Sequence, residues 1–269
     1  MKSWSININK YLKIYLNKFL INFNLVIGKV TCKKKVKFLL KKFKLVSCKY
    51  DLKRFGRNGP GGYLLPDDLK NIDYLFSAGI GSDYSFELGL DKVCKKFFMA
   101  DGTIKPPKLN SKKYSFLNKN IDIRDWKKGI KLETWVKNKI LLNNSILKLD
   151  IEGDEYKALS IISDQVINKF RIIVLEFHNF ERILMKDLYD MYEIVITKLT
   201  DNFYPVHIHP NNCTPNSNYE NLSFPRTFEI TFLNKSRVKN IKKYEYRLGH
   251  PLDYDCSNNK SLKIPKIWI

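Results

Sequence analysis

A chain of 269 residues is long enough for one large α/β domain with an appendage, and a hydrophobic fraction of 44% is that of a globular protein. Five cysteines without a Cys-x-x-Cys pair argue against a disulfide scaffold and a cysteine zinc site, and suit a reducing compartment. The net charge of +21 is uneven: residues 1–57 hold 16 of the 48 Lys and Arg but only one of the 27 acids, Asp51.

The chain opens with a basic amphipathic segment over 1–50. Its stretch 11–30 is fairly apolar, but Lys13, Asn17, Lys18, Asn22 and Asn24 interrupt it. A charge at the centre of a membrane span costs roughly 2.5–3.5 kcal/mol, so no transmembrane helix is expected. No small-residue cleavage site follows an unbroken apolar core, so no signal peptide is expected either. Val36, Leu39, Leu40 and Phe43 then fall at i, i+3, i+4 and i+7 among lysines, the pattern of a basic amphipathic helix. Two readings stand open. The helix packs on the main domain with a solvated lysine face, or residues 1–45 meet anionic lipid or glycan at the cytoplasmic face of a membrane. A nucleic-acid-binding role for this segment is a weaker alternative. Arginine, the usual reader of base edges and phosphates, is scarce, and no nucleic-acid partner is expected.

Residues 51–269 form the main domain. A glycine-rich turn at 53–66 leads into regular alternation. Predicted strands are 74–77, 96–100, 145–149, 171–177, 204–208 and 227–233; predicted helices are 84–93, 132–142, 154–162 and 181–200. Such alternation implies a mostly parallel sheet, flanked by helices and joined by right-handed crossovers, with ligands at the strands' carboxyl ends. The tail 234–269 has little periodicity and reads as an arm or lid.

Strand 74–77 breaks into Gly79-x-Gly81, and the next strand ends in Asp101, 22 residues after Gly79. Glycines let a backbone pass close to a ligand, and an acid at that spacing can take both hydroxyls of a ribose. This points to an enzyme with a nucleoside cofactor. NAD(P) is one option, although position 84 is Tyr where the third glycine of Gly-x-Gly-x-x-Gly would stand.

A second patch, Leu147-Lys-Leu-Asp-Ile-Glu-Gly-Asp-Glu155, is a strand ending in acids and turning into a helix. With Leu132-Glu-Thr-Trp-Val136, Gly61-Gly-Tyr63, Phe98-Met-Ala-Asp-Gly-Thr103, Val174-Leu-Glu-Phe-His178, Val206-His-Ile-His-Pro-Asn-Asn212, Pro225-Arg-Thr-Phe-Glu-Ile230 and His250-Pro-Leu-Asp253, it resembles the FkbM-type S-adenosylmethionine-dependent methyltransferases over residues 50–269. The resemblance implies a class I methyltransferase, Rossmann-like fold and O-methylation of a hydroxyl, on a sugar of a surface polysaccharide or other glycan. It implies that Gly79 and Gly81 line the methionine and ribose of the cofactor, with Ser82 and Gly102 beside them, and that Asp101 holds the ribose. The turn Ser77-Ala-Gly-Ile-Gly-Ser-Asp83 departs from the family's Asp-x-Gly-Ala-Asn-x-Gly.

Asp83 reads as a helix N-cap more readily than as a ligand. Glu87 either reaches the cofactor's amine or sits on a solvated helix face. Methyl transfer to a hydroxyl needs a proton acceptor or a metal. Strand ends supply Asp150, Glu176, His178, His207 and His209, with His178 or His209 as the preferred base. A divalent metal on Asp150, Glu176 and a histidine is a further option. Glu152 and Glu155 are split between chemistry and tying the turn together. Gly62, Tyr63 and Arg57 are candidates to meet the acceptor.

Overall fold

The computed structural model describes residues 12–23, 28–109, 111–137, 139, 144–246 and 249–269. In chain order its main elements begin with α1 (Lys33–Lys41) and a hairpin of β1 (Leu52–Phe55) and β2 (Tyr63–Pro66). Next come β3 (Ile72–Ala78), α2 (Ser85–Gly89), β4 (Cys94–Ala100), β5 (Tyr114–Leu117) and α3 (Leu132–Lys137). The chain continues through β6 (Ser145–Leu149), α4 (Glu155–Ile161), α5 (Asp164–Ile167), β7 (Phe170–Phe177), α6 (Lys186–Asn202), β8 (Phe203–Pro210) and β9 (Phe228–Asn234).

Seven strands form one sheet in the order β8-β9-β7-β6-β3-β4-β5. The contiguous pairs from β7 to β5 are parallel, whereas β9 runs antiparallel to both of its neighbours. A reversed last strand slotted between the fifth and sixth is the class I methyltransferase arrangement. The all-parallel 3-2-1-4-5-6 order of dinucleotide-binding sheets has no such strand. The crossing point lies between β3 and β6, so ligands are expected beyond the carboxyl ends of β3, β4 and β6.

Six predicted strands appear within a few residues of their expected limits, and 145–149 matches β6. The edge strand β5 escaped prediction because only four residues, half-buried or exposed, carry it. The helix expected over 84–93 stops at Gly89. Of the helix expected over 132–142, the part 132–137 is present, while 138 and 140–143 lie outside the described residues. The stretch 181–200 splits into a 3-10 turn, Phe180–Leu184, and α6, because Met185 is extended between them.

The core has two layers, one on each face of the sheet. Val36, Leu39, Leu40 and Phe43 are fully buried in the first layer. Phe43 meets Phe177, Phe180, Phe228 and Trp268 edge-on, with centroids 5.5–6.2 Å apart. Each such burial is worth about 1.5–3 kcal/mol. The apolar stripe of α1 is therefore core and cannot enter a membrane, and its lysines face outward. Lys33 pairs with Glu220. Outside this core, residues 12–20 form a helix on which Leu12 and Tyr15 are more than half exposed. Among the described residues no helix is long and apolar enough to cross a membrane. The tail is irregular as expected, yet its end is anchored: Trp268 is fully buried and its carbonyl accepts from the Leu45 amide at 2.6 Å.

Candidate functional site

A cavity of about 500 Å³ opens where the fold predicts it. Gly79, Ile80, Gly81 and Ser82 form one wall, with Glu87, Asp101, Thr103, Lys148 and Asp150 around them. Gly79 has φ +72°, and a Cβ there would fall 1.7 Å from the Asp150 carbonyl oxygen. The ends of β3 and β6 thus approach so closely that only glycine fits. Gly81, at φ +57°, faces open space.

Asp101 closes β4 and accepts hydrogen bonds from the Gly81 amide (3.0 Å), the Thr103 amide (2.8 Å) and the Thr103 hydroxyl (2.6 Å). Burial works against its charge, but these bonds outweigh it and hold the carboxyl below its ordinary value. Glu87 is only 1% exposed, so the solvated-face reading is overturned. It accepts from the Ser77 hydroxyl, and burial raises its pKa against the pull of Lys148.

The N-cap of α2 is Tyr84, not Asp83 as expected; Asp83, one residue earlier, accepts from the Ser85 amide at 2.9 Å and faces Arg57 Nε at 3.3 Å. Arg57 itself borders the cavity. Gly102 does not: it is exposed, its amide donates to Asn120 Oδ1, and a Cβ would meet that oxygen at 2.4 Å. Gly62 is likewise a tight-turn residue, where a Cβ would fall 2.2 Å from the Arg57 carbonyl oxygen. Tyr63 is buried and meets no open space; its hydroxyl donates to Asp150 Oδ2 at 2.8 Å.

Lys148, buried inside β6, donates to the Gly79 carbonyl at 2.6 Å and stands 3.4 Å from Asp150 Oδ2. It ties the glycine turn to the acid that follows its own strand. The register then lines up a row across four strands. Asp150 follows Leu149, the partner of Leu175; Glu176 opposes Glu229, and Glu229 opposes His209. Burial and the neighbouring Asp150 push Glu176 up to about 7, although Asn211 donates to it at 2.8 Å. Burial, with Glu176 adding to it, pushes Glu229 to about 8 against His209 and Arg54.

His178 Nδ1 lies 3.1 Å from Glu155 Oε1, while Nε2 faces Glu152 at 3.6 Å and Asp150 and Glu176 at 4.0 Å each. Burial disfavours its charge, but Glu155, Glu176 and Asp150 prevail and raise it to about 9. Glu155 thus orients the ring through Nδ1, and Nε2 is turned toward the carboxylates of Glu152, Asp150 and Glu176. Glu155 is fully buried and accepts from the Ile151 and Gly153 amides, so it ties the turn. Glu152, at φ +58°, borders the cavity.

His207 is buried with Nε2 2.8 Å from Asp253 Oδ1, and His209 Nδ1 is 3.5 Å from Asp253 Oδ2. Burial opposes the Asp253 charge, yet His207 and His209 hold that carboxyl well below the carboxylate range. The pair clamps the tail onto β8, with His207 and His209 both held against Asp253. Asp150, Glu176 and His178 each offer a ligand atom within 4.8 Å of the others. Sequence reading gives no role to Lys148, Thr103, Glu229 or Asp253, although each stands inside a quoted motif. Lys148 and Glu229 left a trace, as lone charges inside apolar runs; Thr103 acts locally, two residues after Asp101, and Asp253 acquires its role only through tertiary contacts.

No family model and no curated protein matches the sequence. In structure the chain is similar to an rRNA methylase from Streptococcus thermophilus, at 12% identity over 62% of this chain and 89% of that one, TM-score 0.35. It is similar at 11% identity to the Streptococcus mutans protein SMU.1697c, solved in complex with SAH, over 62% of this chain and 88% of that one, TM-score 0.35. A precorrin-6y C5,15-methyltransferase from Geobacter metallireducens aligns at 12% identity over 78% and 94%, TM-score 0.34. Likeness this distant carries no argument; the strand order rests on the sheet pairings of this chain.

Proposed function

We propose that the chain is an S-adenosylmethionine-dependent methyltransferase acting on a hydroxyl, of the FkbM type that residues 50–269 resemble. One observation carries the reading. In a class I methyltransferase sheet, the cavity beyond β3, β4 and β6 is walled by the Gly79–Gly81 turn, Asp101 and Glu87. A turn closed to any Cβ at Gly79 and a charged acid at the end of β4 suit a nucleoside with a free ribose edge. Asp101 would take the ribose hydroxyls, and Glu87 would face the cofactor's amine. The bound cofactor supplies an electrophilic methyl on a sulfonium with a neutral leaving group.

The chain's own residues then hold the acceptor and remove its proton. The proton acceptor would come from the row that Glu176, Glu229 and His209 form across the strand ends, with His178 beside Glu176. A row of carboxylates and histidine suits a polyhydroxyl acceptor, a sugar or glycan, more than an apolar one. The outward lysines of α1 and the exposed face of residues 12–20 would bring the protein to an anionic surface, such as the inner membrane face.

Calorimetric titration with S-adenosylmethionine and SAH, with NAD+ as control, tests the cofactor. Micromolar binding of the first two supports the reading. Binding of NAD+ alone, or of none, overturns it.

A further inference from the structure

Asp150, Glu176 and His178 come from the end of β6, from β7 and from the loop just beyond it, and each is held from behind. Asp150 uses Oδ2 for the Tyr63 hydroxyl and Lys148, leaving Oδ1 turned toward His178 with no hydrogen bond among the described residues. Glu176 takes Asn211 on Oε1, and its other oxygen accepts nothing among the described residues. His178 is fixed through Nδ1 by Glu155, itself anchored by two backbone amides, so Nε2 is left without a hydrogen bond and faces both carboxylates. A carboxylate behind a histidine, leaving its far nitrogen free, is the arrangement that orients metal-binding histidines.

The ligand atoms span at most 4.8 Å, which oxygens and nitrogens about 2.1–2.4 Å from one ion can subtend. A second observation lies one step along the row. Glu229 stands in register beside Glu176 and has no hydrogen-bond partner among the described residues, although it sits inside the sheet. Three carboxylates are thus gathered around Lys148, His178 and Arg54, with lone pairs unused.

The geometry points to a divalent-cation site on Asp150, Glu176 and His178, at the edge of the cavity. Two carboxylates and one imidazole, with no thiolate, select an ion of the Mg2+ or Mn2+ kind. The site stands on these ligands alone. Its use in the proposed methyl transfer rests on that reading: the ion would lower the pKa of an acceptor hydroxyl while Glu229, outside the ligand set, stays free.

The test uses the full chain stripped with EDTA and titrated with Mn2+, following the free ion by electron paramagnetic resonance. One Mn2+ per chain with submillimolar affinity is expected, at least about tenfold weaker in Glu176→Gln and His178→Gln and unchanged in Asp101→Asn. Circular dichroism checks that the variants fold. If they do not, Mn2+ must selectively broaden the His178 ring resonances of the unaltered protein. No bound Mn2+ at about 1 mM, or a site indifferent to Glu176→Gln with no broadening at His178, overturns the proposal. SAH titration of the same sample separates the two readings. SAH binding without Mn2+ sinks only the cation site, and Mn2+ binding without SAH sinks only the methyltransferase.

Discussion

Gly79 and Gly81 look interchangeable in sequence, yet the structure gives them different burdens. Both sit at positive φ, +72° and +57°, where a residue with a Cβ costs roughly 1–2 kcal/mol. Gly81→Ala pays little more, because nothing lies within 4 Å of the added methyl. Gly79→Ala also drives that methyl to 1.7 Å from the Asp150 carbonyl oxygen, which is backbone and cannot swing aside. The ends of β3 and β6 must then part, adding about 1–3 kcal/mol of overpacking. The same movement pulls the Gly79 carbonyl from Lys148 and disturbs the cavity wall. Urea denaturation followed by circular dichroism should show a loss of about 2–5 kcal/mol for Gly79→Ala against about 1–2 for Gly81→Ala. Calorimetry should show SAH affinity falling in the first far more than in the second. Equal destabilisation, or a larger loss at Gly81, would refute the close approach of the two strand ends.

Asp101→Asn removes a charge-assisted acceptor and should weaken SAH binding by about 1.5–3 kcal/mol; calorimetry showing unchanged affinity would remove Asp101 from the cofactor site. Glu229 keeps in the fold a proton that an unfolded glutamate loses near pH 4.5, so wild-type stability should fall as pH climbs from there to about 8. Glu229→Gln has no proton to lose. Denaturation in EDTA at pH 5 and 9 should therefore favour the variant progressively, by about 1–3 kcal/mol at the upper end, and parallel pH profiles would contradict the buried-acid assignment. Phe43→Ala should cost about 3–5 kcal/mol, measured as a drop in urea midpoint. Consistent with that, deletion of residues 1–30 should leave a folded protein while deletion of 1–45 should not. A stable 46–269 fragment would show that α1 is dispensable.

The strands were readable because the later parts of β3 and β4 and nearly all of β6 and β7 are buried, mostly apolar runs, the first three ending just before Gly79, Asp101 and Asp150. The cofactor wall was readable for the same reason: a strand that ends in Gly79-x-Gly81 announces where its backbone must be bare. Neighbouring positions failed where chemistry depends on what comes back in space. Gly62 and Gly102 carry the same residue type as Gly79, but the surfaces they fit are Arg57 and Asn120, not a cavity. The stripe of α1 was ambiguous because an amphipathic face looks alike to a membrane and to a core; Phe177, Phe228 and Trp268, distant in sequence, decide it.

The acid row was the least legible feature, and the cause is geometric. Asp150 and Glu176 come from parallel neighbours, so their proximity follows once two strand ends are known. Glu229 and His209 join them only because β9 runs backwards between β7 and β8, which places the start of one strand beside the ends of two others. A reversed strand turns its first charged residue toward the active edge of the sheet, where a parallel strand would present its last. Glu229 therefore arrives unpaired among acids that already face Lys148 and His178. Burying a third carboxylate there is unfavourable for folding alone, since each charge raises the pKa of the next. The arrangement makes physical sense if those oxygens have a task beyond stability: taking a proton from a hydroxyl, or sharing a cation with it.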